Sequence, residues 1–140
     1  MAIPAMLTLF FLQACSLSMV SDYDQKSLDQ AEALATEIDY FFAKLSYIPE
    51  KERIYSESSK SYLDIEVELN ALKFRQSSRT LNELTLKQVD IVITLWKQER
   101  ERHEEKNSLN DFLIKRHRRQ FNQMFLAIIR GEESKPNKQQ

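Results

Sequence analysis

Residues Tyr23-Asp-Gln-Lys-Ser-Leu-Asp-Gln-Ala-Glu-Ala-Leu-Ala-Thr-Glu-Ile-Asp-Tyr-Phe-Phe-Ala-Lys-Leu-Ser-Tyr-Ile48 decide the fold class. Leu28, Ala31, Ala35, Ile38, Phe42 and Leu45 recur at spacings of three and four, which places them on one face of a helix. Asp22, Asp24 and Asp29 stand near its start, where acidic groups complement the helix dipole. Pro49 interrupts the pattern because it has no amide hydrogen to donate.

The same period continues outward from this helix. Ile54, Tyr62, Ile65, Leu69 and Leu72 predict a second helix from Glu50 to about Arg75, with Ser58 and Ser61 on its buried face. Residues 76–84 read as a connection, and Thr85 with Gln88 matches a capping box opening a third helix that buries Leu86, Val89, Val92 or Ile93, and Trp96. Lys97 to Lys106 is nearly all charged. Ser108 and Asp111 are candidate caps for a fourth helix, whose apolar members are Leu109, Phe112, Leu113, Phe121, Met124, Phe125, Ile128 and Ile129, with Gly131 as its stop. Tyr40, Phe41, Phe42, Trp96, Phe112, Phe121 and Phe125 are assigned to the core. No run alternates as a half-buried strand does. The expected architecture is all-α: a four-helix antiparallel bundle over residues 23–131, after a tether at 15–22 and before a disordered polar tail at 132–140. A long coiled-coil hairpin that dimerises is the alternative.

Composition agrees. The chain has 140 residues, about one domain, and contains one Gly, which argues against a multi-turn β fold and against phosphate-cradling loops. Residues 1–70 carry 5 basic and 12 acidic side chains, and residues 71–140 carry 15 and 9. If the first and last helices pack side by side, this asymmetry is an attraction between halves of one molecule and not a partner signal.

Residues Ala2-Ile-Pro-Ala-Met-Leu-Thr-Leu-Phe-Phe-Leu12 form an uncharged apolar run, too short to cross a bilayer but of signal-peptide length. Leu12-Gln13-Ala14-Cys15 follows and resembles a lipobox, with Ala14 as the small residue before the cut and Cys15 as the lipid-bearing residue. Cys15 is the sole cysteine, and a lone thiol is unfavourable in an oxidising compartment unless it is modified. A small buried cysteine in a cytosolic helical protein without a leader is the competing reading. No Lys or Arg precedes the apolar run, and Gln13 is less usual than a small residue at its position.

Motifs for chemistry are sparse. His103 and His117 are the only histidines, both flanked by charge, and both read as solvated; Glu99 lies one turn before His103, but no metal-binding pattern accompanies the pair. No metal or cofactor is expected. Lys115-Arg116-His117-Arg118-Arg119 is the densest basic cluster and a candidate contact for anionic lipid, an acidic protein or the acidic first half of the chain. Nucleic acid is not expected, since no aromatics interleave the basic residues at a stacking spacing. No nucleophile elbow or phosphate loop is present, so the chain does not read as an enzyme.

The lipobox, the acidic first helix and the run from Leu84 through Trp96, His103 and Arg116-His117-Arg118-Arg119-Gln120-Phe121 to Ile129-Arg130-Gly131-Glu132-Glu133 resemble small helical lipoproteins of unassigned function in Gram-negative bacteria. The resemblance implies a diacylglyceryl group on the Cys15 sulfur, an acyl chain on the new amino terminus and, with Ser16 following, residence at the outer membrane facing the periplasm. It brings no activity with it. The expected role is a membrane-anchored, non-catalytic interaction module that contacts an envelope protein or anionic lipid. The alternatives are a carrier of lipid or another amphiphile, and the cytosolic protein.

Overall fold

The computed structural model describes residues 19–137. Four helices, α1 (Gln25–Ser46), α2 (Tyr55–Ser77), α3 (Glu83–Lys106) and α4 (Asp111–Glu133), account for most of them, with a single 3₁₀ turn at Glu50–Glu52 and no strand among the described residues. Short connections make each helix antiparallel to the next. The first also packs antiparallel to the last, since the Tyr23 amide donates to the Pro136 carbonyl at 3.0 Å. Contact is most extensive between α1 and α4 and between α2 and α3, so two tight pairs close face to face into a four-helix bundle.

Aromatic rings fill the middle. Phe41, Phe42, Tyr62, Trp96 and Phe121, one or two from each helix, meet at centroid distances of 4.7 to 6.1 Å, mostly edge to face. The Trp96 indole donates to the Tyr62 carbonyl at 3.1 Å, which satisfies its one polar atom. Ile38, Ile65, Leu69, Leu72, Val89, Val92, Phe125 and Ile128 extend the packing along the axis. Tyr40 and Phe112, assigned to the core from sequence, are exposed instead. The buried positions of α1 are 27, 28, 31, 34, 38, 41, 42 and 45, and residue 40 falls outside that stripe; Phe112 sits in the first turn of α4, off the stripe that begins at Ile114.

Helix ends are fixed by side chains, several of them not the ones the sequence suggested. Asp24 caps α1 by accepting from the Ser27 amide. Asn110 caps α4 by accepting from the Leu113 amide at 2.8 Å, in place of Ser108 or Asp111. Asn107 closes α3 in the left-handed region (φ 49°), and its side-chain oxygen accepts from the Tyr55 amide at 2.9 Å, so one residue ends α3 and caps α2 across the bundle. The capping box is not used: α3 begins at Glu83, and Thr85 is a buried residue of its first turn. Gly131 does not stop α4, which runs on to Glu133. Glu132, placed in a disordered tail by the sequence reading, is buried and helical, and Lys135 is bonded to it; residues 138–140 lie outside the described part.

Candidate functional site

The basic segment of α4 does not form one surface. The helical period turns His117 into the core between Ile114 and Phe121, fully buried, while Lys115, Arg116 and Arg119 are exposed. Arg118 holds Asp39 of α1 with two bonds of 2.6 and 2.7 Å, and Asn122 adds a third at 2.9 Å. Beside this pair Lys115, Arg119, Gln123 and Leu126 line a shallow hollow of about 580 Å³. Three cations therefore remain for an outside partner. The link to Asp39 is one of several between the acidic first half and the basic second: Arg75 pairs with Asp24, and Arg100 and Lys97 with Glu66.

The histidines, read as solvated from sequence, are both sealed inside. His117 Nε2 lies 2.5 Å from Glu99 Oε2, both residues at most 1% exposed, and Arg102 donates to both oxygens of the Glu99 carboxylate, to Oε1 at 2.7 Å and to Oε2 at 3.0 Å. The close approach of His117 to Glu99 is off the line of an aligned hydrogen bond, so neither imidazole nitrogen is satisfied by one. His103 is fully paired: Nε2 donates to the Arg53 carbonyl at 2.9 Å and Nδ1 accepts from the Tyr62 hydroxyl at 3.2 Å. Burial pushes its imidazole below the ordinary histidine range, against the smaller opposing effect of the Arg53 carbonyl. Burial likewise pushes the Tyr62 phenol far up. The signal for these residues was present. Glu99 and His103 continue the spacing of Val89, Val92 and Trp96 into a stretch whose charge suggested solvent. No group of three or more His, Cys, Asp or Glu able to hold a metal occurs among the described residues.

A second polar layer seals the end of the bundle where the described chain enters. The Ser21 amide donates to the Leu81 carbonyl at 2.9 Å and its hydroxyl to Asn82 at 2.9 Å; Asn82 in turn donates to Gln76, and Gln76 to Ser27. Arg79 spans the end, bonding both oxygens of Glu132 and the carbonyl of Asp22, while Glu132 also accepts from the Asp24 amide and from Lys135. The Arg75 guanidinium beside Asp24 holds that carboxyl far below the usual carboxylate range. Burial works to raise Glu132, but Arg79 and Lys135 outweigh it and the carboxyl ends below its ordinary value. This layer joins the chain entry to the α2–α3 turn and the end of α4.

Ala14 and Cys15, the residues assigned to cleavage and lipid attachment, lie outside the described residues. No helix among the described residues is long and apolar enough to cross a membrane. Compared with known proteins, the chain matches no family model, no curated protein sequence and no solved structure.

Proposed function

We propose that the chain is a lipid-anchored helical module of the cell envelope, attached through Cys15 to the outer membrane on its periplasmic side, and that it works by binding another envelope component and not by catalysis. The observation that carries this reading is the fixed entry of the chain. Ser21 is bonded by backbone and side chain to the α2–α3 turn, so the six residues from Cys15 to that point allow a reach of about 20 Å at full extension. A short reach to a firm attachment is what an anchored module needs: the bundle stays close to the bilayer in a limited set of orientations. The three cations of the Lys115–Arg119 segment that hold no ion pair offer an anionic partner a place to bind, and the long helices offer area.

Mass spectrometry of the intact protein isolated from membranes tests the anchor. The expected species begins at Cys15 and carries a diacylglyceryl group and an amide-linked acyl chain; a chain that keeps Met1 and an unmodified thiol overturns the reading.

A further inference from the structure

We propose that the bundle end carrying Met19, Val20, Leu81 and Leu84 is a lipid-facing surface that seats on the bilayer to which Cys15 attaches the chain. The proposal rests on the reading of Cys15 as a lipid anchor and extends it to the folded body.

These four side chains are among the large apolar groups left in solvent, at 84%, 42%, 49% and 74% exposure. They are gathered in one place. All four line a hollow of about 390 Å³ between the start of α3 and the end of α4, whose other walls include Asn82, Thr85 and Lys135. Those three belong to the hydrogen-bonded layer that closes the core. The apolar quartet thus sits on the solvent side of a polar seal, and repacking it into the core would mean breaking that seal. Leu81 is also held at φ 57°, a region disfavoured for a residue with a Cβ, while its carbonyl accepts from the Ser21 amide. The turn thereby keeps a leucine on its outer side, next to the incoming chain.

The position of the tether says what covers these residues. Met19 follows Cys15 by four residues, about 14 Å at most. Acyl chains on Cys15 reside in the hydrocarbon, and the polar zone of one leaflet is only about 5 to 8 Å thick. Met19 and Val20 are therefore delivered to the bilayer surface, and Leu81 and Leu84 lie against them. The basic cluster of α4 stands elsewhere: Lys115 to Arg119 are near the opposite end of that helix, about 20 Å or more along its axis from Glu133, and Arg130 is the basic residue of its last turn. Glu83 and Lys135 both line the hollow, one charge of each sign, which suits a zwitterionic lipid surface better than an anionic one.

The test uses the full chain isolated from membranes and reconstituted in phosphatidylcholine vesicles. An environment-sensitive dye is placed on Leu84→Cys, with Tyr47→Cys as the control at the far end, and vesicles with brominated acyl chains report lipid contact. Circular dichroism verifies that each variant is folded. The expected result is quenching at position 84 several-fold greater than at 47, and loss of most of it when Leu81→Glu is added. Equal, solvent-like signals at 84 and 47 overturn the proposal. The mass of the amino terminus, read on the same sample, separates the two ideas. Lipid on Cys15 with no quenching at 84 leaves the anchor standing and removes the docking surface. Quenching at 84 in a chain without lipid, repeated in the Cys15→Ser background so that the dye sits at 84 alone, supports the surface and removes the anchor.

Discussion

Glu99 and His117 meet 2.5 Å apart between α3 and α4, the two helices that otherwise touch least among sequential neighbours. A carboxylate and an imidazole have been taken out of water there; Arg102 also holds the carboxylate, and the carboxylate is the charged neighbour of the imidazole. Removing one partner of a buried pair typically costs about 3–5 kcal/mol, whereas exchanging both for apolar groups of similar volume is often neutral or better. Glu99→Ala should therefore lower the urea midpoint sharply, and Glu99→Leu combined with His117→Phe should restore most of it. Phe42 and Phe121, already stacked beside this site, would receive the new ring. A single variant as mild as a surface substitution would show that the pair is not what joins α3 to α4.

His103 predicts a pH response with a definite sign. Its folded-state pKa lies below the unfolded one, so on acidification the unfolded chain takes up the proton first. The contribution of His103 is complete above about pH 6.5 and declines as the pH falls below that value. His103→Gln should flatten the slope of melting temperature against pH between about 7 and 5, since glutamine stays neutral throughout that range. An unchanged slope would assign the titration to other groups.

Gly131 lies inside α4 in helical conformation, and a Cβ built there meets no heavy atom within 4 Å. Alanine fits the space and restricts the unfolded chain, so Gly131→Ala should stabilise the protein by about 0.5–1 kcal/mol. Thermal melts of the two proteins measure it directly.

The basic segment divides into two kinds of residue. Exchanging Lys115, Arg116 and Arg119 together for glutamine should move stability by no more than about 0.5 kcal/mol, since each is exposed and none holds the fold. The same exchange should reduce binding of a soluble acidic polypeptide such as polyglutamate, measured by fluorescence anisotropy at low salt. Arg118→Gln should do the reverse, costing about 0.2–1 kcal/mol through the lost Asp39 pairing while leaving most of the polyglutamate binding intact.

The helices were legible in the sequence because their apolar residues keep a 3.6-residue period and Pro49 breaks it. Their ends were less so. Asn107, Asn110 and Asn82 carry the turns, and a chain rich in Ser, Thr, Asp and Asn offers many equivalent cap signals, of which tertiary contact selects one. Residue type misled where spacing was correct. Glu99, His103, His117 and Glu132 occupy core positions by period but were assigned to water by chemistry, because partners that offset their burial, such as the Arg53 carbonyl and Arg79, come from distant parts of the chain. The charge counts admit an attraction between the acidic and basic halves on condition that the first and last helices pack together, and the links from Asp24, Asp39 and Glu66 join the two halves.

The seal at the chain entry also sets the mechanics of the molecule. A pull on residue 19 reaches Ser21 first, where the force divides between the backbone bond to Leu81 and the side-chain bond to Asn82, then Tyr23, bonded to Pro136, and Asp24, bonded to Glu132 and Arg75. These bonds lead into α2, α3 and α4 as well as α1. Tension on the first helix is shared with the other three before α1 can peel away, so the bundle should yield late and in one step rather than unravel from its tethered end.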